Sequence, residues 1–250
     1  MSIQNDLEFA LDPVLFATKV LGIKPDPWQA GVLEYTGKRL IMNCSRQSGK
    51  SLTASIKALH LALYKSNSLV LLVSPSQRQS SELFRVVSDL TMKIDPPPRK
   101  VEDNRLSMSL ANGSRIVSLP SKEGTVRGFA AVDLVVEDEA SRVEDALYWA
   151  VRPMLAISGG QIILMSTPFG KRGHFCEVFT GKDPGWKRVE VKADGCPRIS
   201  AAFLEEEKEN LGEWFIKQEY ECTFVESEDA VFSTAYLEAA MTDKFEMFAV

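Results

Sequence analysis

Short apolar runs bounded by polar turns recur along the chain, and helical periodicity fills the intervals between them. Arg39 to Asn43 (RLIMN), Leu69 to Ser74 (LVLLVS), Val132 to Glu137 and Gln161 to Ser166 (QIILMS) are too short for helices and nearly uniformly apolar, which predicts strands buried on both faces. Between them, Gly49-Lys50-Ser51 opens a helix running to about Tyr64. A second helix runs from Ser76 to about Ile94, where the Pro96-Pro97-Pro98 run stops it. Helical spacing also covers residues 7–21, with Pro13 at a helix start and Gly22 at its end, then Val143 to about Ile157 and His174 to Thr180. Strand, helix, strand in this order predicts parallel βαβ units.

One interval breaks the pattern. Arg105 to Ala111 and Ser114 to Leu119 flank Asn112-Gly113, a pair suited to a two-residue hairpin turn because both positions take φ > 0. Past Thr180, Lys187 to Val191 alternates like an exposed strand, and Ser200 to Cys222 is helical with a break near Gly212. The expected fold is α/β: a mostly parallel central sheet with an added antiparallel hairpin over residues 1–175. A small helical linker or lid subdomain over 176–250 follows, the boundary lying within 172–185. No internal repeat, low-complexity tract or heptad pattern appears.

The composition is that of a globular chain, with 250 residues, 45% hydrophobic and 25% charged. No apolar run approaches the ~20 residues of a membrane span, and the N-terminus lacks the basic and apolar regions of a signal peptide, so a cytoplasmic compartment is expected. Cys44, Cys176, Cys196 and Cys222 show no C-x-x-C spacing, and His60 and His174 are the chain's two histidines. Reduced structural thiols follow, with no zinc cluster. The net charge of −5 hides an asymmetry: the last fifty residues hold 13 acids and 3 bases, leaving residues 1–200 at +5. A basic body is compatible with DNA contact; Arg78, Arg85, Arg99, Lys100, Arg105 and Arg115 lie in its positive stretches.

Residues 44–51 read CSRQSGKS, a Walker A pattern with Cys44 in place of the first glycine. Between a buried strand and a helix, the backbone N–H groups of Gln47, Ser48, Gly49, Lys50 and Ser51 can cradle phosphate. Lys50 then reaches the β- and γ-phosphates of ATP, and the Ser51 hydroxyl ligates Mg²⁺. Arg46, inside the loop, is poised to face the γ-phosphate or a neighbouring acid.

Leu134-Val135-Val136-Glu137-Asp138-Glu139 is a hydrophobic strand ending in acids, as Walker B requires. Asp138 is the Mg²⁺ ligand, Glu139 the general base that deprotonates water, and Glu137 faces the opposite side of the strand. A glutamate in that position fits ATPases with an additional strand between the loop strand and the Walker B strand, which Leu69 to Ser74 is expected to supply. Ser166 and Thr167, at the end of the next strand, can sense the γ-phosphate. Gln29, in Asp26-Pro27-Trp28-Gln29, carries an amide suited to the adenine edge. Arg127, in Gly124-Thr125-Val126-Arg127-Gly128, can reach the transferring phosphoryl group in cis or from a neighbouring subunit.

Taken together these residues resemble the ATPase domain of the large terminase subunit of tailed bacteriophages. The resemblance rests on Asp26 to Gln29, the Arg46-Gln47-Ser48-Gly49-Lys50-Ser51 loop, Val73 to Ser76, Arg127-Gly128, Asp138-Glu139-Ala140 and Ser166-Thr167-Pro168. It continues through Gln218-Glu219-Tyr220, Phe224-Val225 and Val231-Phe232-Ser233, covering about residues 25–235.

It implies a RecA-like P-loop fold and a Mg²⁺-dependent ATPase that drives double-stranded DNA into a procapsid. It further implies a homo-oligomeric ring of five on the portal protein, with the isolated chain monomeric. The small terminase subunit is the implied partner and the host cytoplasm the implied location. Arg127 would act in trans, and Ser166-Thr167-Pro168 would couple hydrolysis to movement. Terminases also carry a C-terminal nuclease domain; the sequence ends at Val250 without the later carboxylates of one, so nuclease activity is not expected. The competing readings are a helicase-like DNA translocase, which 80 residues past the Ser166 strand leave little room for, and a non-catalytic ATP-gated assembly module, which intact Lys50 and Glu139 disfavour.

Overall fold

The computed structural model describes residues 3–121, 126 and 128–226. Its strands are β1 (Arg39–Cys44), β2 (Leu69–Ser74), β3 (Lys100–Asp103), β4 (Ser107–Leu110), β5 (Arg115–Pro120), β6 (Leu134–Asp138), β7 (Gln161–Ser166) and β8 (Lys187–Val191). They form one eight-stranded sheet in the order β3-β4-β5-β2-β6-β7-β1-β8. All pairings from β5 to β8 across the sheet are parallel, and β4 is antiparallel to both β3 and β5.

Strand alternation divides the core between two faces. On one, Leu40, Met42, Val70, Leu72, Leu134, Val136, Ile163 and Met165 pack with α3 (Pro27–Glu34), α4 (Lys50–Tyr64) and α5 (Gln77–Met92). On the other, Ile41, Leu71, Val73, Val135, Ile162 and Leu164 pack with α6 (Asp145–Val151) and α7 (Gly173–Thr180). Covering both faces explains why the central strands read as apolar runs rather than alternating ones.

One expectation is corrected here. Leu69–Ser74 does not lie between the phosphate-loop strand and the Walker B strand: β7 occupies that place, with Val136 opposite Ile163 and Asn43 opposite Ser166. β2 lies on the far side of β6. The additional strand exists, but β2 and β7 have interchangeable apolar patterns. Their positions are set by which helices cross which face, a long-range property.

The hairpin is present, but its turn differs from the two-residue form expected: Gly113 adopts φ +83° whereas Asn112 does not take a positive φ. The connection spans Ala111 to Ser114, with Gly113 N–H donating to Leu110 O at 3.0 Å and Leu110 N–H to Ser114 O at 2.8 Å. The Asn112 side chain instead donates to the carbonyls of Ala62 and Leu63 at 2.8 and 3.0 Å, tying the turn to the end of α4 and settling its form through a long-range contact. Asp12 caps α2 (Pro13–Leu15) by accepting from Val14 and Leu15 N–H, with Pro13 in the first helical position. The periodicity over 7–21 is therefore split, with α1 (Ile3–Leu11) before Asp12 and a π-type turn over Phe16–Val20 after α2.

The helical pattern from Val143 stops at Val151 and tightens to a 3₁₀ turn around Pro153. The strand β3 and the short helix α3 were not read from the pattern. Beyond β8, α8 (Ala201–Asn210) and α9 (Glu213–Glu219) are separated at Gly212 as expected, and share a small apolar cluster around Ala193, Ile216 and Tyr220.

Candidate nucleotide site

Three adjacent strands, β6, β7 and β1, bring Asp138-Glu139, Ser166-Thr167 and the loop after Cys44 to one sheet edge. At that edge the chain turns from β1 into α4, whose first N–H groups lack intrahelical partners and whose dipole favours an anion. The turn needs Gly49. Its φ is +93°, and a Cβ there would lie 2.8 Å from Gln29 Nε2. Gln29 is buried against the loop, its Oε1 accepting the Asp26 N–H at 2.9 Å. Ser48 Oγ donates to Ser45 O, and Gln47 also takes a positive φ.

Around this edge the charges alternate. Lys50 Nζ lies 3.5 Å from Glu139 Oε1. Glu139 Oε2 lies 3.9 Å from Arg142 Nε, and Arg142 Nη2 lies 3.6 Å from Glu219 Oε1. Glu219 Oε2, in turn, accepts from Arg46 Nε at 2.6 Å. Of the two roles open to Arg46, the structure brings it to the neighbouring acid. Ser166 Oγ donates to Glu139 Oε2 at 3.4 Å and pairs with Ser141 Oγ at 2.7 Å; Thr167 is buried beside it.

Strand parity separates the acids. Asp138 follows Leu134 and Val136 toward α4, whereas Glu137 follows Val135 toward α7, as its alternation predicted. The Asp138 carboxyl is pushed up to about 7, first by burial and then by the charge of Glu139, with Lys50 pulling the other way. The Glu139 N–H donates to Asp138 Oδ1 at 3.0 Å. A buried carboxylate that resists ionisation alone suits a cation, and Ser51, next to Lys50 in the first turn of α4, carries a hydroxyl of the hard-oxygen type that Mg²⁺ takes. Among the described residues no group of three or more His, Cys, Asp or Glu is arranged to hold a metal; Mg²⁺ shared with phosphates needs none. Glu139 itself sits at φ +50°, ψ +42°, a left-handed position uncommon for a residue with a side chain.

The end of β8 and the chain after it strap the loop down. Ser45 N–H donates to Val191 O at 2.9 Å, Arg46 N–H to Glu219 O at 3.1 Å, and Asn43 Nδ2 to Cys222 O at 2.7 Å. Arg198 spans the loop, donating to Ser48 O with one nitrogen and pairing with Asp26 Oδ2 at 2.8 Å through another. Cys44 is wholly buried beneath the loop, and burial above all, then its neighbour Cys222, drives its thiol well above the ordinary range. It is a packing residue there. Arg198 and His174 were missed as site residues, since their partners lie far off in sequence; Arg142, three residues past Glu139, lay within reach of a local reading, and Glu219 had a signal in the Gln218-Glu219-Tyr220 motif. Arg127 lies outside the described residues.

The family described as "Terminase large subunit, T4likevirus-type, N-terminal" matches residues 41–239. The large terminase subunit of Thermus virus P23-45 is 26% identical over 257 residues, covering 86% of this chain and 52% of that protein. That of Escherichia phage T5 is 25% identical, covering 91% of this chain and 56% of that protein. The chain thus spans about half the length of these curated relatives. Among solved structures, the large terminase ATPase domain of Thermus phage P74-26 superposes with a TM-score of 0.75 at 23% identity, covering 86% of this chain and 100% of that one. The large terminase of the thermophilic bacteriophage D6E in complex with ADP superposes at 0.62 and 11% identity, covering 86% of this chain and 53% of that one. These likenesses show the shared P-loop-type fold, and the family match across most of the length establishes that the chain belongs to the terminase large subunit family, in its N-terminal region.

Proposed function

We propose that this chain is the ATP-hydrolysing motor domain of a large terminase, driving double-stranded DNA into a procapsid. One observation carries the reading: Lys50 of the phosphate loop and Glu139 of the Walker B strand face each other at 3.5 Å across the N-terminus of α4. The D6E terminase structures with ADP and with ATP-γ-S support nucleotide as the ligand class.

In this reading the triphosphate lies over the first turn of α4, with Gln29 beside the loop for the adenine end. Lys50 exchanges Glu139 for phosphate oxygens, which releases the carboxylate. Ser51 and Asp138 would hold Mg²⁺, whose charge would offset that of the phosphates. Glu139 accepts a proton from the attacking water as its oxygen bonds to the γ-phosphorus and the bond to the departing ADP oxygen breaks. Arg46 is close enough in the loop to answer the γ-phosphate by leaving Glu219. Ser166 and Thr167 relay the change, and Arg127 serves as the finger on a neighbour's ATP in a ring of five. The portal and the small terminase subunit complete the assembly in the host cytoplasm.

The test is turnover per chain against protein concentration, with Glu139→Gln and Lys50→Ala beside the wild type. E139Q retains ATP binding and loses turnover by at least about a hundredfold, K50A loses binding, and wild-type turnover climbs with concentration. E139Q turning over at the wild-type rate refutes the assignment; wild-type turnover independent of concentration removes the trans finger.

A further inference from the structure

Beneath the Walker B strand lies a buried cluster with no part in the steps above. Glu137 is fully buried, so its carboxylate requires a partner on the face away from α4. His174, in the first turn of α7, provides it, with Nε2 2.7 Å from Glu137 Oε1. The other ring nitrogen, Nδ1, lies 2.9 Å from Asp145 Oδ1, which also accepts the His174 backbone N–H at 2.7 Å. Tyr148 stacks on the imidazole at 4.7 Å with planes 9° apart, which fixes the ring's tilt. Each ring nitrogen faces a carboxylate oxygen, so the ring is arranged to donate from both. Burial lowers its proton affinity, but the two carboxylates outweigh burial and the net shift is upward.

The three segments joined here all lead to the nucleotide edge. Glu137 immediately precedes Asp138. Asp145 opens α6, just past the turn holding Ser141 and Arg142. His174 opens α7, at the end of the loop that leaves β7 through Ser166-Thr167-Pro168. A single side chain therefore sets the end of β6, the start of α6 and the exit from β7 against one another. What that register preserves is visible at the surface: Ser166 Oγ 3.4 Å from Glu139 Oε2 and 2.7 Å from Ser141 Oγ.

We propose that His174 is a positioning residue of the hydrolytic site, holding Asp138, Glu139 and Ser166 in the mutual register that hydrolysis requires. The proposal rests on the ATPase reading above. His174→Phe keeps the stack on Tyr148 and removes both donors, but leaves the Glu137 carboxylate buried without its partner, so it is combined with Glu137→Gln, which removes that charge. E137Q alone, retaining an acceptor oxygen for His174, is the reference that separates loss of the carboxylate charge from loss of the ring, and the double variant is read against it. Three quantities are read for each protein: the thermal midpoint, kcat and KM for ATP, and the factor by which Mg²⁺ tightens ATP-γ-S binding.

H174F/E137Q is expected to melt within about 5 °C of wild type and to bind ATP-γ-S without Mg²⁺ within about twofold. Its kcat falls at least about tenfold below that of E137Q with KM little changed, and its Mg²⁺ enhancement shrinks. H174Q, which keeps a donor toward Glu137, recovers part of both. A folded H174F/E137Q with the kcat and Mg²⁺ enhancement of E137Q overturns the role of His174. If the wild type binds with Mg²⁺ enhancement but does not turn over, the enhancement decides alone. A wild type that binds no nucleotide overturns the ATPase reading itself, and the role of His174 with it.

Discussion

The ion pair between Arg46 and Glu219 is lopsided, and the asymmetry predicts which partner is costlier to remove. The Glu219 side chain is 1% exposed and that of Arg46 55%. Arg46→Ala leaves a carboxylate inside the protein, whereas Glu219→Gln leaves a guanidinium that turns into water. Removing one partner of a fully buried pair costs ~3–5 kcal/mol. Here Arg142 at 3.6 Å and Gln218 Nε2 at 3.3 Å from Glu219 Oε1 keep the carboxylate partly satisfied, reducing the cost of R46A to about 2–3 kcal/mol. E219Q retains an acceptor for Arg46 and costs about 1 kcal/mol.

The double variant removes the charge that R46A strands, so it returns to about 1 kcal/mol, a coupling of roughly 2 kcal/mol. In a domain of this size R46A then melts roughly 5–10 °C below wild type and the double variant only a few degrees below. Nucleotide-free thermal and urea melts of the four proteins measure the cycle. An E219Q variant as unstable as R46A, or a double variant less stable than either, would refute the idea that burial of the carboxylate dominates this contact.

Three further outcomes are expected. Gly49→Ala forces a Cβ into a left-handed backbone 2.8 Å from Gln29 Nε2, costing about 1–2 kcal/mol and weakening ATP-γ-S binding by about tenfold or more in calorimetric titration; unchanged affinity would mean that this turn does not carry the phosphate. The Asp138 carboxyl, raised from 3.8 to about 7, keeps its proton in the folded protein where the unfolded chain has lost it. Stability therefore falls as pH rises from about 4 to about 7, by up to about 4 kcal/mol, and D138N abolishes that fall; parallel pH–melting curves for the two proteins would contradict it. Lys57 Nζ donates to the carbonyls of Val32, Leu33 and Tyr35 at 3.1, 2.9 and 2.7 Å, so Lys57→Met is destabilising by about 2–3 kcal/mol despite its apolar surroundings. Because burial lowers the Lys57 pKa from 10.5 to about 8, wild-type stability also rises between those values as the folded protein sheds the proton first, a rise absent in K57M.

What sequence alone determined is local. Apolar runs of strand length, the position of the Asn112-Gly113 turn, the Pro13 start and the Gly49-Lys50-Ser51 opening of α4 depend on neighbours within a few residues, where φ/ψ preference and side-chain period act directly. The acids at the end of β6 were legible for the same reason, as was the turning of Glu137 away from Asp138, because strand alternation requires it. Tertiary structure alone decided the rest. β7 rather than β2 separates the loop strand from the Walker B strand, since two equally apolar strands carry no mark of their lateral order. Arg46 meets Glu219, 173 residues away, Arg198 grips the loop from 150 residues off, and His174 answers Glu137 across 37. No local pattern encodes those pairings: a buried charge states that it needs a partner, and only the folded chain decides which side chain arrives.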